Sequence, residues 1–223
     1  SDVCSSDLNS LENKFLYIKI LYIKKMRLLT IIIVIFIIII LFYKITNKNM
    51  VFCKSNIDNK YYMVRDLSDK QIACNMLALN RNKMITLIRY LNDNKTNKYK
   101  DYENNINRLY SKINDLTISE NNGNGKETSY SVNKGDELVI CLRSKAEWNK
   151  FHDNNLIFYV ILHELSHIAS PVYEDEYHNH GPVFKKIFAF LTNIAIENGL
   201  YQKIEFNKES KEYCGIYITD SIV

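Results

Sequence analysis

Residues 156–169 read LIFYVILHELSHIA, from Leu156 to Ala169. The stretch is apolar on nearly every side, and a helix of that kind is stable in water only at the centre of a domain. Asp153 or Asn154 stands just ahead of it as a helix N-cap. Within it lies His163-Glu164-Leu165-Ser166-His167, an HExxH pattern. Residues four apart share a helix face, so both imidazoles can point at one metal ion while Glu164, one step round, reaches a water on that ion.

The chemistry follows from the residue types. Neutral imidazole suits zinc, and a catalytic zinc site uses three protein ligands and leaves the fourth position to water. The metal lowers the pKa of that water, Glu164 takes its proton and passes it to the leaving amine, and the zinc polarises the scissile carbonyl. The third ligand is expected downstream, where Tyr177-His178-Asn179-His180-Gly181-Pro182 offers His178 and His180. His180 is favoured, because Pro182 starts the next helix and so presents the side chain rigidly. Glu174, Asp175 and Glu176 are the carboxylate alternatives. His152, ahead of the helix, is expected to be a solvated loop residue.

Working outward, Ser68-Asp69-Lys70-Gln71 matches a capping box and predicts a long first helix to about Asn92. Ile106, Leu109, Tyr110 and Ile113 carry a second helix. Residues 92–100 are expected to be a loop, with a glycosylation acceptor at Asn94-Lys95-Thr96. Residues 128–132 and 137–143 (ELVICLR) are expected as strands joined at Asn133-Lys134-Gly135. Phe184, Ile187, Phe188, Leu191, Ile194 and Ala195 form the face of a helix starting near Pro182 and ending at Gly199, and residues 213–219 form a last strand. Helices with a small sheet make an α+β domain. By analogy with zinc peptidases, ELVICLR is expected to run beside the active-site helix and offer an edge to an extended peptide.

The N-terminal part is different in kind. Leu28 to Tyr43 (LLTIIIVIFIIIILFY) is sixteen residues without a charge, which predicts a transmembrane anchor over residues 26–46. Residues 44–48 lack the small-x-small pattern of a signal-peptidase site, so the anchor is expected to stay uncleaved. Lys24, Lys25 and Arg27 ahead of the run place the N-terminus in the cytoplasm and the domain in a lumen or outside, as a single-pass membrane protein. Residues 1–25 read as a non-native or disordered segment, since Met26 is a natural start and SDVCSSDL is similar to vector or adapter read-through. Residues 47–60 read as a tether, and 61–223 as the catalytic domain.

The charge distribution bears on partners. The chain of 223 residues has a net charge of +4, and residues 1–50 carry all of it, with seven basic and three acidic groups. Residues 51–223 are balanced at 22 of each sign, and a neutral domain has no electrostatic footprint for a phosphate backbone. Nucleic acid is therefore disfavoured as a partner. Among the cysteines, Cys53, Cys74, Cys141 and Cys214 allow two disulfides or buried free thiols, with Cys141 and Cys214 the first pair to test because both lie in strands.

His163-Glu-Leu-Ser-His167 followed by His180-Gly-Pro-Val-Phe184 resembles the compact SprT-like and WLM zinc metallopeptidases. The resemblance extends to WLM-type metallopeptidases predicted in large DNA viruses, through VRDLSDKQ (64–71), TSYSVNKG (128–135), ICLRSK (140–145) and YCGIYITDS (213–221). It covers roughly residues 61–223, and the stretch 171–179 ahead of the third histidine is longer and more acidic than expected. The resemblance implies a zincin-like domain, with its active-site helix on a small, mostly antiparallel sheet. It also implies Zn2+ held by His163, His167 and His180, with Glu164 as the catalytic base and a polypeptide substrate. Tyr173, Tyr177 and Tyr201 are candidate oxyanion stabilisers. Two other functions compete: a non-catalytic membrane or virion component that retains the fold, and a protease acting on proteins crosslinked to DNA.

Overall fold

The fold is described from a computed structural model, which describes residues 22, 24–41, 49–125, 127–171 and 180–223. The chain divides into two compact units, residues 1–48 and 49–223.

In the first unit residues 24–41 are helical, and Thr30 Oγ1 donates to the carbonyl of Met26 at 2.9 Å. Among the described residues no helix is long and apolar enough to cross a membrane. The described stretch 24–41 includes Lys24, Lys25 and Arg27, which leaves only Leu28 to Leu41 uncharged within it. A crossing helix needs about 20 predominantly apolar residues, and the described part of this helix offers fourteen without a charge. That finding overturns the anchor expected over 26–46 and the single-pass topology built on it, with residues 42–46 of the expected span lying outside the described residues. Most of the segment read as non-native, residues 1–21 and 23, lies outside the described residues.

The second unit is α+β with three small sheets. It opens with an antiparallel hairpin of β1 (Met50–Lys54) and β2 (Tyr61–Arg65), pairing Met50 with Arg65 and Lys54 with Tyr61, over the stretch that the sequence suggests is a tether. Helix α1 (Lys70–Asn94) follows, without the expected capping box. Gln71 Nε2 donates to the carbonyl of Lys54 at 3.0 Å, so the side chain ties the helix to the hairpin. Asn94 ends α1 with its side-chain amide on the carbonyl of Tyr90. Helix α2 (Glu103–Lys112) buries Ile106 and Leu109.

The central sheet comprises β3 (Thr117–Glu120), β4 (Tyr130–Val132) and β5 (Glu137–Ile140) in the order β3-β5-β4. β5 pairs parallel with β3 and antiparallel with β4. ELVICLR is thus extended only to Ile140 and is the middle strand, so the free edge expected of it belongs to the outer strands β3 and β4. At the turn between β4 and β5, Asn133, Lys134 and Gly135 take positive φ of 46°, 52° and 108°.

Helix α3 (Asn154–Ala169) is the central one. Asp153 caps it, accepting from the amides of Asn155 and Leu156, and twelve of its sixteen residues are buried. Helix α4 (Pro182–Glu197) packs on it with Phe184, Ile187, Phe188, Leu191, Ile194 and Ala195 buried. The expected last strand is a hairpin, β6 (Lys211–Tyr213) and β7 (Ile216–Ile218). Its two-residue turn, Cys214-Gly215, has φ of 52° and 89°, the positive pair that such a tight turn demands. Cys214 is disulfide-bonded to Cys141, while Cys53 and Cys74 are free.

Candidate metal centre

Two helices meet at the site. His163, Glu164 and His167 project from one face of α3, and Gly181 and Pro182 start α4 directly after His180, with proline at the first turn fixing where the helix begins. The consequence is a three-imidazole cluster. The Nε2 atoms of His163 and His167 lie 3.2 Å apart, and Nε2 of His180 is 3.1 Å from each. Phe184, in the first turn of α4, packs its ring on all three imidazoles, with centroids 4.4 to 4.9 Å away.

Three neutral imidazoles cannot satisfy one another in this arrangement. Each carries one N–H, and if Nδ1 holds it in every ring, three lone pairs converge on one point. A cation relieves that repulsion. A tetrahedral ion at about 2.0–2.1 Å from each nitrogen holds its ligands about 3.3 Å apart, close to the observed spacing, so the donor set fits a metal ion. All three rings favour the neutral form that a ligand needs. Burial, then the charges of His167 and His180, pushes His163 down to about 3. Burial, then His180 and Lys134, pushes His167 down to about 4. His180 is lowered by burial and by Lys185.

Glu164 is 6% exposed. Burial pushes its carboxyl up to about 8, against the pull of a backbone hydrogen bond from Ser131. The cluster and Glu164 line one side of a cleft of about 1270 Å³, whose other walls include Ser129, Tyr130 and Ser131 of β4 and its approach, Lys134, and Tyr213 to Ile222 in part. Tyr213 is buried with its hydroxyl 2.6 Å from Ser129 Oγ, and Ser129 Oγ accepts from the amide of Cys141 at 2.9 Å.

The structure brings His163, His167 and His180 together and lines the same cleft with Glu164. His178, Glu174, Asp175, Glu176, Tyr173 and Tyr177 lie outside the described residues. Tyr201 is away from the cleft, stacked on Tyr159 in the core with its hydroxyl accepting from the amide of Ile204. His152 also departs from the sequence expectation. It is 8% exposed, and its Nε2 accepts from the amide of Cys214 at 3.1 Å, so it is a buried acceptor and not a solvated loop residue. Sequence reasoning missed Ser131, Lys134 and Tyr213 as neighbours of the site. Their proximity depends on strand pairing and carries no local signal.

No family model matches the chain, and no solved structure matches it. A protein of Acanthamoeba polyphaga mimivirus, "Uncharacterized protein R325", is 38% identical over 180 residues, which span 81% of this chain and 88% of the relative. At that identity and coverage, the chain belongs to the same family as this mimivirus protein.

Proposed function

We propose that the chain is a zinc-dependent peptidase. The observation that carries this reading is the convergence of three imidazole Nε2 atoms at 3.1 to 3.2 Å beside a buried carboxyl in one large cleft. His163, His167 and His180 would hold the ion through Nε2. Three imidazoles with a fourth position open suit zinc better than the oxygen-seeking cations. When bound, zinc supplies a Lewis acid for the scissile carbonyl and for the water that attacks it. Glu164 would take a proton from the attacking water and pass it to the leaving amine, a role for its carboxylate form, which the positive charge of a bound ion beside it would favour against the effect of burial. Phe184, packed on all three rings, holds the imidazole planes and keeps that side of the cluster dry.

An extended polypeptide suits the cleft. β4 is the outer strand of its sheet and lines the cleft through Tyr130 and Ser131, so a substrate backbone can add along its edge. The resemblance of HELSH and HGPVF to SprT-like and WLM peptidases supports the same assignment.

The test uses the whole 223-residue chain. Elemental analysis should find one zinc per chain, and the protein should cleave an unfolded protein such as reduced casein. Glu164→Gln should keep the zinc and lose cleavage by at least about a hundredfold, the scale of a general base. Cleavage surviving in Glu164→Gln, or a wild-type chain that takes up no transition metal, overturns the proposal.

A further inference from the structure

The cleft is not uniform along its length. Val160 and Tyr159 sit one helical turn ahead of Glu164 and His163, so they extend the face of α3 that presents the site. Phe188, one turn beyond Phe184 on α4, lies 5.2 Å from the ring of His163 and 5.1 Å from that of Tyr159. Ile218 and Ile222 close the compartment from the other side, and all five residues line the cleft. The cleft also has a basic part, where Lys134 and Lys185 belong to its lining.

The apolar walls are held in place by hydrogen bonds. The amide of Ile222 donates to the Tyr159 hydroxyl at 3.2 Å. Ser221 Oγ donates to the carbonyl of Ile204 at 2.7 Å and accepts from the amide of Phe206 at 3.2 Å. The segment after β7 is therefore pinned against α3, and Ile218 and Ile222 are only partly covered.

Resting on the peptidase reading above, we propose that the compartment formed by Tyr159, Val160, Phe188, Ile218 and Ile222 receives a large apolar side chain of the substrate next to the bond that is cut. One helical turn is about 5.4 Å, and an extended chain advances about 3.3 Å per residue. The compartment therefore meets a side chain within about two residues of the scissile bond. The substrates are polypeptides with Leu, Ile or Phe at that position; a polar side chain there would lose hydration against the five walls, and an acidic one would also meet Asp220, which lines the cleft between Ile218 and Ile222.

Binding and cleavage separate the two ideas. The 223-residue chain carrying Glu164→Gln, loaded with zinc, is titrated with fluorescent decapeptides of alternating Ala and Ser carrying one central Leu, Phe, Ser or Asp. Leu and Phe peptides should bind at least about tenfold more tightly than Ser and Asp peptides. Adding Ile218→Asp, or separately Ile222→Ser, should shrink that ratio to below about threefold. Equal affinity for all four peptides, or a preference that survives both substitutions, overturns the apolar compartment. The wild-type chain is then given the same peptides. Cleavage without apolar preference overturns the compartment alone, whereas neither binding nor cleavage of any peptide overturns it together with the peptidase reading.

Discussion

Nε2 of His152 accepts a hydrogen bond from the backbone N–H of Cys214 at 3.1 Å, which makes a buried imidazole the support of a tight turn at the rim of the cleft. Its ring also lies 4.9 Å from that of Tyr213. His152→Ala leaves a buried amide without a partner and should lower stability by about 1–3 kcal/mol. Burial holds the imidazole below its ordinary value of 6.5, with Glu212 and Glu147 acting the other way. The unfolded chain therefore binds a proton that the folded chain resists, and stability falls as pH drops below about 6.5. The clustered imidazoles add to the same slope in metal-free protein. Urea unfolding at pH 7.5 and 5.5 should show a smaller difference in His152→Ala than in the wild type.

The ion pair of Arg143 and Glu120 should be hard to break. Their side chains are 2% and 1% exposed, with Nε and Oε1 2.7 Å apart. Glu120 Oε2 also accepts from the amide of Arg65, and Arg143 reaches Asp69 Oδ2 at 2.7 Å, so the pair joins β2, β3 and the start of α1. Arg143→Met strands a buried carboxylate and should cost about 3–5 kcal/mol. Adding Glu120→Gln removes that charge and should recover part of the loss. A double-mutant cycle by urea unfolding measures the coupling, and additive losses would show that the pair is not energetically linked.

The disulfide joins residues 73 positions apart, from the end of β5 to the β6–β7 turn. In the chain-entropy account a loop of that length contributes about 4 kcal/mol by restricting the unfolded chain. Replacing Cys141 and Cys214 together by Ser should lower the melting temperature by about 10 °C, and a reducing agent should do the same to the wild type and nothing further to the variant. Cys53 and Cys74 give no such effect, since the Cys74 thiol donates to the carbonyl of Cys53 instead.

Sequence reasoning reached the site because its parts are local. An all-apolar run with an aspartate cap specifies α3, the four-residue spacing sets His163 and His167 on one face, and Pro182 fixes the position of His180. It failed where a partner is distant in the chain. The outward residues of the first hairpin, Phe52 and Tyr61, are 63% and 67% exposed, so β1 and β2 lack the alternation that marks a strand. β3 hides Ser119 and Glu120, polar residues buried only because Glu137 and Arg143 receive them. Gln71 had the spacing of a capping residue, yet the carbonyl of Lys54 took its side chain. In the N-terminal helix, composition suggested a span, but the described stretch 24–41 carries Lys24, Lys25 and Arg27 and is not long and apolar enough to cross a membrane.

Gly135 sits at the turn between β4 and β5 with φ of 108°, and a Cβ there would lie 3.1 Å from Cγ2 of Ile168, next to His167 on α3. Two penalties coincide in Gly135→Ala. The backbone conformation is one that L-residues avoid, at about 1–3 kcal/mol, and the added methyl presses on α3 beside a proposed ligand. If α3 yields instead of the turn, His167 moves relative to His163 and His180, and a three-nitrogen cluster tolerates little displacement before one ligand is lost. The variant should therefore lose more metal affinity than its loss of stability accounts for. A competitive zinc titration at a temperature where both proteins are folded checks this, with Gly199→Ala as the control, because that glycine also has positive φ, 68°, but no atom within 4 Å of an added Cβ. Equal zinc affinities in the two variants would mean that the turn, and not the helix, absorbs the strain.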